Sequence, residues 1–203
     1  MATVPAAAWV VRGFAREIDG DDGDDGRVVV SIEGSDAMLE RTTRELPSSL
    51  GKAGVPETRI IDTGARDAFE RTIDACVSVV GRHSITYRVL GDRAELDGRL
   101  AGITALAGRF DLHVDYLGDV MNGDTIVRVH DGDVRAFASK IEMFDDVLHD
   151  LEPRAIVIAG DAPMRPTVQV WGRPPAALAQ MRAIKARFDP HNTLNPALFV
   201  GGI

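Results

Sequence analysis

The sequence has little of several features that mark particular classes of protein. Its 203 residues include a single cysteine, Cys76, which excludes an internal disulfide framework and is typical of a reducing compartment. No apolar run reaches the roughly 18 residues that suggest a membrane span. The N-terminus lacks the basic and apolar regions of a secretory signal. These absences predict a cytoplasmic protein without a membrane span.

Positive charge is also scarce. The formal net charge is -8, which argues against a nucleic acid or an anionic membrane as a partner, because either would need a basic surface. The apolar fraction of 45% and the charged fraction of 27% are ordinary for a globular protein. A chain of this length can bury one good core or two small ones.

Common catalytic and metal-binding motifs are missing as well. There is no Walker loop, dinucleotide glycine fingerprint or nucleophile elbow. None of the five histidines lies three to five residues from another, so no helical pair can hold a metal, and we predict no metal site. His113 shares a strand face with Asp115, and His130 lies close to Asp131. Either could contribute to a ligand set, but solvated positions are the simpler interpretation.

Hydrophobic periodicity predicts an alternation of strands and helices. Strands are expected at 9–14, 27–33, 84–90, 113–117, 125–129 and 155–159, with weaker extended segments at 59–61 and 167–171. Helices are expected from 35 to 47, where Pro47 ends the first, from 66 to 80 with a buried, inert Cys76, and from Asp97, Asp133 and Pro174-Pro175 onward. The acidic segment 19–26 fails the spacing of a calcium loop and is interpreted as a turn between paired strands.

This element order predicts an α+β fold. The order strand, helix, strand, strand, helix, strand is typical of a ferredoxin-like layer, and Asn122-Gly123 predicts a hairpin between the middle strands. Because the strands alternate between apolar and polar residues, we expect a mostly antiparallel sheet with helices on one face. Residues 1–171 are predicted to form one domain, and residues 172–203 a C-terminal helix and an extended tail.

The tail is the most distinctive part of the sequence. Lys185 is followed by Phe188-Asp189-Pro190 and then by Leu194-Asn195-Pro196. This pattern resembles the C-terminal end of FAD-linked oxidases of the vanillyl-alcohol oxidase superfamily, and most of all the FAD-binding subunit of glycolate oxidase. The motif match covers about 171–203, and the remainder agrees in element order only.

The resemblance implies the cap and C-terminal part of an FAD-dependent oxidoreductase that acts on a 2-hydroxy acid such as glycolate. In that superfamily an N-terminal half binds FAD, and the cap covers the flavin ring, which takes the hydride. The resemblance implies that the helix and tail of residues 172–203 pack toward this flavin-binding half, which is absent here. The expected partner is therefore an FAD-binding half or subunit, without which the chain is expected to be inactive and free of flavin. The alternative is a non-catalytic ferredoxin-like binding or assembly module.

The resemblance also suggests site residues. An arginine pairs well with the carboxylate of a 2-hydroxy acid, and Arg88 and Arg128 each lie within a predicted strand, where they face either a substrate pocket or water. Asn195 is the candidate for contact with the flavin or substrate. Pro190 and Pro196 are expected to hold Asp189 and Asn195 in extended conformations, and Asp189 is expected to accept hydrogen bonds from N–H groups just beyond the helix. The superfamily has glycine after Asn-Pro, whereas this chain has Ala197, which puts close cofactor contact in question.

Overall fold

The structure is built on one six-stranded antiparallel sheet. It is a computed structural model that describes residues 7–13, 26–55, 58, 67, 71, 74, 83–161 and 165–203. The strands are β1 (Ala7–Arg12), β2 (Arg27–Ser31), β3 (Ser84–Val89), β4 (His113–Asp119), β5 (Thr125–His130) and β6 (Ala155–Gly160). Across the sheet their order is β2-β1-β4-β5-β3-β6, and every neighbouring pair is antiparallel.

Four helices accompany the sheet within the described residues. They are α1 (Asp36–Lys52), α2 (Leu96–Arg109), α3 (Val134–Leu151) and α4 (Leu178–Phe188). Strands β3 to β6 with helices α2 and α3 follow one another as strand, helix, strand, strand, helix, strand, and they lie in the spatial order β6-β3-β5-β4. The predicted ferredoxin-like α+β fold is confirmed, with the β1–β2 hairpin added at the β4 edge.

The main core lies between the sheet and helices α2 and α3. Alternate residues of β3 and β5 point toward these helices, because successive side chains of a strand point to opposite faces. The buried core cluster contains Ile85, Tyr87, Val89, Val127 and Val129 from the sheet, and Ile103, Leu106, Phe137, Ile141, Phe144 and Leu148 from the helices. The helices expected on one face of the sheet therefore pack there.

A polar network is buried inside this core. The Tyr87 hydroxyl donates to Asp145 Oδ1 at 2.9 Å, and the Gln169 backbone N–H donates to Asp145 Oδ2 at 2.8 Å. Burial, with the adjacent Asp145 carboxylate, raises the pKa of Tyr87 well above its ordinary value. The carboxylate thus connects strand β3 to α3 and to the segment that leads toward the C-terminal tail.

The opposite face of the sheet carries two different surfaces. Near β1 a smaller apolar cluster forms around the buried residues Val11 and Leu117. Toward β5 and β3 the same face carries polar side chains, among them Arg128 and Arg88. The sheet therefore separates an apolar core from a face that holds charged groups between its strands.

The first helix does not end at Pro47 as predicted. Helix α1 continues to Lys52, and the chain leaves the helical path where Gly54 adopts a φ of 89°. Proline removes one backbone donor, but residues 48 to 52 retain theirs and extend the helix. The end comes where glycine can adopt the left-handed conformation at low cost.

The last helix begins later than predicted. Pro174 and Pro175 precede α4, which begins at Leu178 after a turn at Ala176 and Ala177. The weaker extended segment predicted at 167–171 does not form a strand, because a short 3-10 helix covers Arg165–Thr167 and turns occupy the end of the segment. Val170 nevertheless accepts a backbone hydrogen bond from Val157 at 2.8 Å, so this segment runs beside β6.

Three predictions lie outside the described residues. They are the strand at 59–61, most of the helix at 66–80 with Cys76, and the acidic turn before residue 26. In the part of the chain that the structure covers, none of the helices has the length and apolar character needed to cross a membrane.

The Tyr87–Asp145 hydrogen bond predicts a measurable effect of Tyr87→Phe. The change should lower the free energy of unfolding by about 1–3 kcal/mol, because Asp145 Oδ1 loses its phenol donor inside the core. The raised pKa of Tyr87 stabilises the fold fully below pH about 10, and this contribution is lost as the pH rises toward the folded-state pKa. Urea unfolding from pH 8 to about 11.5 should show the alkaline loss in the wild type and in Tyr116→Phe. An equal loss in Tyr87→Phe would contradict the network.

Candidate functional site

A charged pair lies on the face of the sheet that points away from α2 and α3. The register of the β4–β5 hairpin places Asp115 directly opposite Arg128. Asp115 Oδ2 accepts from Arg128 Nε at 2.8 Å and from Nη2 at 2.6 Å. Two donors of one guanidinium on one oxygen fix the orientation of both side chains.

Two histidines extend this cluster toward the strand ends. His130 Nε2 lies 3.3 Å from Asp115 Oδ2, and the ring of His113 stacks on that of His130 with centroids 5.5 Å apart. The two histidines face each other directly across the hairpin. Asp115 therefore lies between a guanidinium and an imidazole. We call Asp115, Arg128, His130 and His113 the strand-end cluster.

A glycine directly after β1 makes room for the carboxylate. Gly13 adopts a φ of +75°, and a Cβ at this position would lie 1.9 Å from Asp115 Oδ1. Any side chain here would collide with the carboxylate and would also strain the backbone. Glycine at position 13 thus lets the backbone at the end of β1 approach the Asp115 carboxylate closely.

The surroundings of Asp115 keep its carboxylate ionised. Asp115 is only 8% exposed, and burial alone would raise its pKa. The hydrogen bond with His130 and the charge and hydrogen bonds of Arg128 outweigh burial, so the pKa of Asp115 lies below its ordinary value. The cluster therefore holds a matched negative and positive charge at neutral pH.

The second predicted arginine lies on the same face but in a more open place. Arg88 on β3 donates to Asp124 at 2.7 Å, and its side chain is 50% exposed. Strand pairing places Arg88 opposite Ile126, two positions along β5 from Arg128. An ion pair at this exposure contributes at most about 1 kcal/mol, so a competing carboxylate can displace it at little cost.

The third predicted residue lies apart from the arginines, in the C-terminal tail. Asn195 is exposed and lines a groove between α4 and the tail. The structure thus brings Arg88 and Arg128 to one face of the sheet and places Asn195 in a separate feature. The partnership of Asp115, His113 and His130 with Arg128 was not predicted. The hairpin signal at Asn122-Gly123 was the available clue, because it makes β4 and β5 neighbours.

The tail is organised around the carboxylate of Asp189. Its oxygens accept from the backbone N–H groups of Thr193 at 2.8 Å and Leu194 at 2.9 Å, as predicted for the turn beyond the helix. Lys185 donates to Asp189 at 2.5 Å and to the Leu194 carbonyl at 2.6 Å. The hydrogen bond from Lys185, followed by those from Leu194 and Thr193, holds the pKa of Asp189 far below its ordinary value.

The predicted extended conformation of Asn195 is wrong. Asn195 has a φ of 45°, and Ala197, two residues later, has a φ of 60°. Asparagine tolerates the left-handed region because its short polar side chain can hydrogen-bond to the nearby backbone. Alanine has no such side chain and adopts this region at a cost. Ala197 therefore has the conformation for which glycine is the favoured residue, at the position where the resembling tails have glycine.

The N-termini of α1, α2 and α3 do not fit the diphosphate of FAD. A diphosphate is commonly held by free N–H groups at a helix N-terminus. Asp92 and Asp133 already cap the helical turns that begin α2 and α3, and Asp36 lies in the first turn of α1. These carboxylates would repel a phosphate. Nor does the described part contain a group of three or more His, Cys, Asp or Glu side chains that could hold a metal ion.

Comparisons with known proteins do not assign the chain to a family. No protein-family model matches the sequence, and no curated protein matches it. The function is therefore inferred from the residues and their geometry.

The buried position of the Asp115–Arg128 pair predicts the effect of Asp115→Asn. The free energy of unfolding should fall by about 3 kcal/mol, because Arg128 loses the charge that compensates its burial. The contribution of Asp115 is fully present above pH about 4 and is lost as the pH falls through the lower folded-state pKa. Urea unfolding between pH 7 and 3 should therefore show a flatter acid limb in the variant.

The control for this measurement is Asp124→Asn, which removes the more exposed partner of Arg88. This change should cost less than about 1 kcal/mol. Equal losses in the free energy of unfolding for the two substitutions would contradict the conclusion that Asp115 compensates a buried charge.

The left-handed conformation of Ala197 predicts a stabilising substitution. Ala197→Gly should raise the free energy of unfolding by about 0.5–1 kcal/mol, because relief of backbone strain exceeds the added freedom of the unfolded chain. Ala183→Gly, in the middle of α4 and exposed, should instead lower it by about 1 kcal/mol. Urea unfolding of both variants measures the direction in which each substitution changes the free energy of unfolding. Destabilisation by Ala197→Gly would show that the tail has a different conformation.

Proposed function

We propose that the chain is the cap and C-terminal part of an FAD-dependent oxidoreductase that acts on a 2-hydroxy acid such as glycolate. A flavin-binding half that this sequence does not include binds FAD. The chain contributes the sheet face that carries Arg88 and Arg128, together with the tail that carries Asn195. Its share of the chemistry is to position the substrate and to shape the electrostatics around it.

The observation that carries this proposal is the conformation of the tail at Ala197. The resembling oxidases have glycine at this position, and the φ of 60° here is the conformation that glycine favours. The agreement concerns backbone geometry, which the resemblance in sequence does not by itself require. The Asp189-centred hydrogen bonds further support a tail whose shape is held before any partner binds.

The charged face of the sheet supports a carboxylate substrate. Arg88 is the better candidate for direct contact, since its pair with Asp124 is half-exposed and exchangeable. Arg128 is held by Asp115 on the same face and supplies an oriented positive charge near the imidazole of His130. A carboxylate bound to Arg88 would lie along the same face as this cluster.

One observation favours the alternative of a non-catalytic binding or assembly module. Both candidate arginines already have a carboxylate partner within the chain, Asp124 for Arg88 and Asp115 for Arg128. A purely structural sheet face would show the same pairing. The two functions differ in whether the chain, joined to a flavin-binding half, turns over a 2-hydroxy acid.

Reconstitution tests the proposal. The purified chain should be colourless, and a complex with a matching FAD-binding half should retain flavin and reduce a dye acceptor when glycolate is added. In that complex Arg88→Met should raise the KM for glycolate by about 10–100-fold, because it removes a charge-assisted pair with the substrate.

The matched control is Arg154→Met, an exposed arginine that lies outside the strands. It should leave the KM for glycolate unchanged. Flavin absorbance in the purified chain, without the flavin-binding half, would contradict the proposal that the other half binds FAD. A complex that binds flavin but oxidises no 2-hydroxy acid would favour the assembly module.

A further inference from the structure

Helix α4 leaves its apolar side uncovered. Met181, Ile184 and Phe188 lie on one stripe, yet no residue of α4 is buried, and Phe188 is 82% exposed. An amphipathic helix of a globular domain normally buries this stripe in its own core. An exposed apolar surface of this kind marks a site of interaction.

The tail turns this stripe into a groove. Leu194, Leu198 and Phe199 form the opposite wall, and the groove between the walls has a volume of about 660 Å³. We call it the tail groove. Its size is within the range of sites that accept side chains of a ligand or a partner segment.

Directional contacts fix the position of the wall that the tail contributes to the tail groove. Trp171 Nε1 donates to the Leu198 carbonyl at 3.0 Å, and the Trp171 ring contacts the edge of Phe199 with centroids 5.0 Å apart. At the other end of the groove, the Lys185 ammonium donates a hydrogen bond to the Leu194 carbonyl and so joins α4 to the tail. The groove is therefore formed in the free chain, which lowers the cost of ordering on binding.

The charge around the tail groove is opposite to that of the chain as a whole. Residues 172–203 carry four basic side chains, Arg173, Arg182, Lys185 and Arg187, and one acidic side chain, Asp189, whereas the whole chain has a net charge of -8. Lys185 pairs with Asp189, and Arg173 pairs with Asp150. Arg182 and Arg187 form no ion pair with any residue in the described ranges.

The two remaining arginines flank the apolar stripe. The helical period of α4 places Arg182 to one side of Met181 and Arg187 to the other side of Ile184. Both side chains are exposed. A second copy of the chain docked groove to groove would bring these positive charges together, which disfavours self-association.

We propose that the tail groove binds an amphipathic helix of a partner protein, with apolar residues in the groove and carboxylates against Arg182 and Arg187. Under the proposed function, on which this inference rests for the identity of the partner, the helix belongs to the flavin-binding half. Binding follows the helix-in-groove mode, in which spaced apolar anchors supply affinity and flanking charges supply orientation.

Two synthetic helical peptides of equal length and leucine pattern test the inference on the chain alone. One carries glutamate at all polar positions, and the other carries lysine. The glutamate peptide should shift the amide resonances of Leu198 and Phe199 and the indole resonance of Trp171, with an affinity that falls as salt is added. The lysine peptide should bind at least about tenfold more weakly.

Paired variants locate the binding. Ile184→Ser should weaken the glutamate peptide by about tenfold or more, whereas Met143→Ser, at a similarly exposed site on α3, should have no effect. Arg187→Glu should reduce the preference for the glutamate peptide by about threefold to tenfold. Arg109→Glu, also exposed and in the last turn of its helix, should preserve it.

Three outcomes would overturn the inference. They are equal binding of both peptides, no resonance shifts with either peptide, and a concentration-dependent dimer in sedimentation that occupies the groove. No flavin or 2-hydroxy acid is present in these measurements. A failure here is therefore distinguishable from a failure of the reconstituted complex to oxidise glycolate.

Discussion

The alternation of side chains along the neighbouring strands β3 and β5 is the constraint on which the rest of this molecule depends. In β3 and β5, Tyr87 and Val127 point into the core beneath the helices, while Arg88, Arg128 and His130 point to the other face. A slip of one residue in either strand would bury an arginine in the apolar layer and expose core residues. The free energy gained by burying the core side chains thus fixes the register of the strands. The register in turn places the charged groups on one face.

The two arginines on that face differ in what their surroundings allow. Arg128 is held by a buried carboxylate, Asp115, and removing either partner would leave an uncompensated charge. Arg88 has an exposed partner, Asp124, which a substrate carboxylate can replace at small cost. The same residue type therefore serves as a fixed source of positive charge in one case and as a candidate contact in the other. Burial, and not strand position, makes this difference.

The C-terminal tail combines a polar centre with an apolar surface. Asp189 satisfies the backbone donors beyond α4 and anchors Lys185, so local hydrogen bonds hold the turn. The apolar residues beside it, Phe188 above all, have no cover within the described part of the chain. The left-handed conformation of Ala197 adds a cost in backbone strain. A segment with this combination of features is suited to binding a partner.

The sequence by itself determined the α+β class, the antiparallel strands and the turn beyond α4, because these depend on periodicity and on local hydrogen bonds. Tertiary structure decided the pairing within the site. A two-residue loop at Asn122-Gly123 would have set Asp115 opposite His130, whereas the longer loop observed sets it opposite Arg128. The end of α1 beyond Pro47 and the left-handed conformation of Asn195, directly before Pro196, are likewise features of the folded backbone that the proline positions did not predict. Contacts between distant residues determine which ionisable groups share a site, and no local pattern encodes them.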